Sequence, residues 1–85
     1  MNVLYKPTFL RQLKKLPPKL QEEAKEKIIL FKDIKNHPAL RVHKLHGPLQ
    51  DRHSFSVNFR YRIVFKFTNE DTAVLLSIGD HVVYD

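Results

Sequence analysis

The apolar residues of this chain change their spacing once, and that change dictates its architecture. Up to about residue 34 they recur every three or four positions; from His53 onward they alternate. Phe9, Leu10, Leu13 and Leu16 mark a helix with Arg11, Lys14 and Lys15 on its other side. Pro7 opens it, since the first turn of a helix has no use for the missing N–H. Pro17-Pro18 ends it, because the residue before a proline is pushed out of the helical region. Leu20, Ala24, Ile28 and Phe31 then predict a second helix over about Lys19–Ile34, with Glu22/Lys25 and Glu23/Lys27 on its polar side. Two helices joined by so short a turn form an antiparallel hairpin whose apolar sides must cover another layer.

That layer is written in the second half. Phe55, Val57 and Phe59 alternate with Ser54, Ser56 and Asn58, which predicts a half-buried strand from His53. Tyr61–Phe67 is a second strand, Thr68–Asp71 a turn, and Thr72–Ile78 a third strand apolar enough to be central. Asn2–Tyr5 is a short strand at the start, and Ala39–Asp51, with Gly47-Pro48, is a short strand or extended connector and then a turn. The order β-α-α-β-β-β predicts an α+β fold: a helical hairpin packed on one face of a mostly antiparallel four-stranded sheet, the other face open to water. Eighty-five residues suffice for one domain, 1–85, and not for two cores. Parity places Ser54, Ser56 and Asn58 on the open face if Phe55 and Val57 point inward. It also sets Arg62, Val64 and Lys66 on the face opposite Tyr61, Ile63 and Phe65.

With no cysteine the chain offers no disulfide, thiolate metal site or cysteine nucleophile. No apolar run reaches the roughly 20 residues of a membrane span, and MNVLYKPTF does not read as a signal peptide; a cytoplasmic protein with no membrane partner is expected. The net charge of +6 is unevenly spread. Residues 1–47 carry eleven Lys/Arg against four acids, a surplus of +7, and residues 48–85 carry four against five. Such a basic half suits a polyanionic partner, although a solvated lysine face would give the same charge. So small a domain has little room for a deep pocket, which favours action on a macromolecule.

Gly47 and Gly79 are the only glycines, so no phosphate loop is present, and no carboxylates stand at metal-ligand spacing. The histidines carry the interest. His43, His46 and His81 could be imagined around zinc, but an i,i+3 pair without an acid is a weak signature; no metal and no cofactor are expected. Metal-free RNA cleavage needs a base for the 2′-hydroxyl, an acid for the leaving oxygen and cations for the phosphate. Imidazole can fill both proton roles, and an arginine on a strand can grip phosphate through its planar fork.

The KLHG turn, the run HSFSVNFRYRIVFKF and the closing IGDHVVYD resemble the RelE/ParE superfamily of bacterial toxins, the RelE and YafQ type above all. The resemblance covers nearly the whole chain. It implies the toxin of a type II toxin–antitoxin pair, a ribosome-dependent mRNA endoribonuclease that uses 2′-hydroxyl attack and no metal. A cognate antitoxin with an acidic toxin-binding segment, the ribosome and mRNA are the implied partners. By the same resemblance His43 in H-x-L-x-G and His81 in I-G-x-H match site histidines of YafQ-type toxins. Arg62 matches the tyrosine-arginine strand arginine of RelE-type toxins, and Tyr84 the C-terminal aromatic, one residue closer to the histidine than usual.

The match has departures. Ser56 stands where YafQ-like toxins have a histidine, and Arg60 where they have an aspartate. The lysines that RelE-like toxins place on the first hairpin strand are absent; Ser54 and Ser56 stand there instead. His46, His53 and Arg52 are candidate auxiliaries, and Lys14, Lys15, Arg41 and Lys44 candidates for RNA and ribosome contact. Two alternatives stay open: a ParE-like toxin that inhibits gyrase through a protein surface, and a catalytically decayed toxin acting as a binding module.

Overall fold

A computed structural model describes residues 1–47 and 51–80 of the chain. His81 and Tyr84, expected in the site, lie outside the described residues, as do Pro48 of the expected turn and the C-terminal tail.

Strand β1 (Asn2–Tyr5) leads into helix α1 (Pro7–Lys14), and helix α2 (Pro18–Phe31) follows after the proline turn. Both helices begin on a proline in the first turn, as its fixed φ favours. Gln21 straps the turn by donating from Nε2 to the Leu16 carbonyl at 2.7 Å, which satisfies a carbonyl the broken helix leaves over. A 3₁₀ turn (Ile34–Asn36) leads to β2 (His43–Lys44), β3 (His53–Ser56), β4 (Tyr61–Asn69) and β5 (Thr72–Asp80).

These form one five-stranded sheet in the order β1-β5-β4-β3-β2. The sheet thus has one strand more than the expected four. Of the two readings of Ala39–Asp51, short strand or extended connector, the strand forms: His43 and Lys44 pair with Ser54 and His53 as an edge strand of two residues. The pairing is antiparallel except at the other edge, where β1 runs parallel to β5 with Leu4 opposite Val74. The apolar β5 is therefore flanked on both sides, as its composition demands.

One face of the sheet meets the helices. Phe9, Leu13, Ala24, Ile28 and Phe31 pack on Phe55, Ile63, Phe65, Leu75 and Ile78. Phe31 is the hub: its ring stacks on Phe55 at 4.3 Å, meets Phe65 edge-on at 4.7 Å and stacks on His37 at 4.8 Å. His37 is held by donating from Nε2 to the Phe31 carbonyl at 2.8 Å, a structural role. Gln12 of α1 accepts from the Ile78 amide at 2.8 Å, close to the place where Leu76 bulges out of the β4–β5 ladder.

The first hairpin strand is shorter than its alternation suggests. It stops at Ser56, and Phe59 is not a core residue: it is 96% exposed. The opposite face of the sheet is not uniformly wet either, because Ser54, Val64 and Val74 on it are buried. Among the described residues, no helix is long and apolar enough to cross a membrane.

Candidate functional site

Ladder register decides which side chains meet. Ser56 lies opposite Arg62, and Arg62 opposite Gly79, so these three share one face of the sheet. His43 lies opposite Ser54, and Ser54 opposite Val64, two residues along from Arg62 on the same face. That is the face turned away from the helices. Arg62 therefore stands between two small neighbours, and its guanidinium has lateral room. Sheet spacing puts the Cα atoms of His43 and Arg62 about 12 Å apart, within joint reach of one phosphate.

His43 is exposed and donates from Nδ1 to the Arg41 carbonyl at 2.9 Å. A carbonyl can only accept, so in the neutral ring Nε2 keeps its lone pair and can take a proton. Arg41 supplies that carbonyl from a left-handed backbone conformation, φ 57°, which is uncommon for a residue with a side chain.

Arg62 and Ser56 also line a cleft of about 430 Å³ that runs round the β3 edge of the sheet to α2. Lys27 and Glu23 of α2, Arg41 of the connector, Ser56, Phe59 and Arg62 line it. Three cations thus face one carboxylate. Among the described residues Arg62 has no acidic partner, which leaves its donors available to a ligand. Glu23 is engaged: it accepts from Asn58 Nδ2 at 2.7 Å.

The other expected residues divide. His53 does not join Arg62. It shares parity with Phe55, faces the helical side and packs against Phe65 and Phe67 at 5.5 and 5.1 Å. Burial lowers its pKa below the ordinary 6.5, with Lys44 and His43 adding repulsion. Lys44 pairs with His53 and so points away from the His43 face. His46 is exposed just beyond β2, and Arg52 reaches Asp51 at 3.9 Å. Lys14 and Lys15 end α1 in the helical layer, across the sheet from Arg62; Arg41 alone of the four expected RNA-contact cations lines its cleft. Arg60, the residue in the aspartate's place, is bound to Asp80 at 2.9 Å, and that bond raises its pKa. It clamps the ends of β4 and β5 together. Sequence reasoning missed Lys27 and Phe59; the Asn58-Phe59-Arg60 turn was hidden by the apparent alternation.

This is the fold of the small toxins of toxin–antitoxin pairs. The structural neighbours are toxins of the RelE, YafQ, YoeB and ParE kinds. A toxin–antitoxin complex from Mycobacterium tuberculosis, RelBE2, matches at a TM-score of 0.74 and 26% identity over 93% of this chain and 95% of that one. The YoeB–YefM complex of Staphylococcus aureus matches at 0.73 and 16% identity, covering 95% and 97%. YafQ from E. coli matches at 0.72 and 16%, covering 96% and 94%. No family model matches the chain, and no curated protein matches it.

Proposed function

We propose that this chain is the toxin of a type II toxin–antitoxin pair and that it cleaves mRNA on the ribosome. The observation that carries this reading is Arg62, unpaired by any described acid, which lines a cleft with Arg41 and Lys27 and shares its sheet face with His43. The fold shared with RelE-, YafQ- and YoeB-type toxins supports it.

Cleavage follows from elementary phosphodiester chemistry. A base removes the 2′-hydroxyl proton, O2′ attacks the adjacent phosphorus, and the 5′-oxygen leaves with a proton from an acid. The products are a 2′,3′-cyclic phosphate and a 5′-hydroxyl. Arg62 stabilises the charge that builds on the non-bridging oxygens, where a planar fork acts best. His43 and, by resemblance, His81 are assigned the two proton transfers, with Tyr84 as an aromatic contact to the message. No resident metal or cofactor is invoked.

The antitoxin is the second proposed partner. Tyr5, Leu10, Leu13, Ile28 and Ile29 line a shallow apolar groove of about 300 Å³, rimmed by Lys25 and Lys32. An amphipathic acidic segment would bury its apolar side there and meet lysines at the rim. The cytoplasm, where ribosomes translate, is the proposed location.

The test is induction in a bacterial host with mRNA ends mapped in the presence and absence of translation. Cuts that require translation support the proposal. Growth arrest with intact mRNA and DNA-damage signatures would instead identify a gyrase inhibitor, and neither effect would identify a decayed toxin.

A further inference from the structure

Phe59 stands beside an arginine that no described acid pairs, and it is 96% exposed. Single exposed apolar residues are ordinary on protein surfaces, so exposure alone decides nothing. What distinguishes Phe59 is how its backbone is fixed and what stands next to it.

The turn that carries it is built around Asn58. Its Oδ1 accepts from the Arg60 and Tyr61 amides, both at 2.8 Å, and its Nδ2 donates to Glu23 on α2 at 2.7 Å. The Val57 amide donates to the Tyr61 carbonyl at 2.8 Å and closes the loop from below. Arg60 then ties the far side to Asp80. These restraints converge on the residues that flank Phe59, so the ring is presented from a rigid turn and not from a loose loop tip. It shares the cleft with three cations, Arg62, Arg41 and Lys27, with Ser56, and with one carboxylate, Glu23, which Asn58 already engages. An apolar ring edged by cations is poor company for a protein core and good company for a nucleotide, which has a flat π-face on one side and a phosphate on the other.

We infer that Phe59 is a base-stacking platform: it holds one nucleobase of the RNA next to the phosphate gripped by Arg62. The inference rests on the proposed RNA-cleaving function and extends it to a residue on the turn after β3. Stacking is tolerant of base identity, so Phe59 supplies grip and register more than sequence choice. By fixing a base it also draws the adjoining sugar out of helical stacking, which frees the 2′-hydroxyl for in-line attack.

The chain has no tryptophan, so Phe59→Trp creates a single fluorescent reporter at the platform. The probe is a 2′-O-methyl trinucleotide, which cannot be cleaved because its nucleophile is blocked. Titration is expected to quench the emission of the introduced indole saturably at low salt. In parallel, cleavage of mRNA on programmed ribosomes is measured for wild type, Phe59→Tyr and Phe59→Leu. Tyrosine is expected to preserve activity. Leucine keeps the bulk and removes the π-face, and is expected to raise KM about 5- to 150-fold, the range for loss of one base stack, with an unchanged melting temperature. Wild-type cleavage together with a fully active Phe59→Leu would overturn the platform and leave the nuclease standing. Loss of antitoxin affinity with unaltered KM would overturn it in favour of a protein contact. A wild-type protein that cuts no mRNA would overturn both readings.

Discussion

Ser56 and Arg62 are directly opposed across the β3–β4 ladder, with both side chains on the face turned from the helices. Ser56 is therefore the residue directly across the β3–β4 ladder from Arg62, at the position where YafQ-like toxins are expected to have an imidazole. This pairing makes the site testable from both sides. Arg62→Ala is expected to reduce mRNA cleavage about 100- to 1,000-fold, the usual cost of removing one preorganised donor to a developing oxyanion. Arg62→Lys is expected to recover only part of it, since a point charge cannot replace the fork. Ser56→His is expected to raise the rate by about tenfold or more, a fraction of the general-base contribution. Single-turnover cleavage on programmed ribosomes measures all three; an unchanged rate in Arg62→Ala would remove Arg62 from the site.

Asn58 offers a stability test near the same cleft. Asn58→Ala removes three hydrogen bonds at once and leaves the Arg60 and Tyr61 amides without their acceptor. The turn is partly solvated, so a loss of about 1–3 kcal/mol is expected by urea unfolding. Asn58→Asp should retain the two amide bonds but set a carboxylate against Glu23, and should fall below wild type as well.

In the core, the ring of Phe31 contacts Phe55, Phe65 and His37. Phe31→Ala is expected to cost about 3–5 kcal/mol. For a domain of this size that is a large share of total stability, about 4–13 kcal/mol. Phe31→Leu should be far milder, and circular dichroism melts separate the two.

His53 gives the chain a pH dependence of definite sign. Its folded pKa is lowered by burial and by Lys44 and His43, so the unfolded chain binds the proton more tightly. Stability is expected to be full above the ordinary value of 6.5 and to decline as the pH falls through it. His53→Gln removes the titrating group, and its stability profile between about pH 5 and 7.5 should be flatter than wild type. Parallel profiles would show that His53 does not sense the burial.

Much of the fold was legible because the period changes cleanly. Ala24, Ile28 and Phe31 are buried where the helical stripe put them, and Phe55, Ile63 and Phe65 share the inward face that alternation required. Strand β2 was ambiguous for a physical reason: His43 and Lys44 are polar, exposed and only two residues long, so the strand exists through its pairing with β3 and not through any pattern. Phe59 misled because alternation was extended past the point where Asn58 turns the chain with its own side chain. In the site, parity separated Arg62 from Ile63 and Phe65, and only the β3–β4 register shows which of the two faces is turned from the helices. The same parity sets His53 on Phe55's side, against its use as an auxiliary. Lys27 could not be read at all, since it reaches the cleft from a helix whose charged face looks uniform in sequence.

The proposed cleavage is tested most directly on ribosomes that hold a defined message. Purified protein is added and the new RNA ends are analysed. A break in the ribosome-bound message is predicted, leaving a 2′,3′-cyclic phosphate and a 5′-hydroxyl and lost in Arg62→Ala. A message that stays whole, or ends bearing a 3′-hydroxyl and a 5′-phosphate, would contradict it.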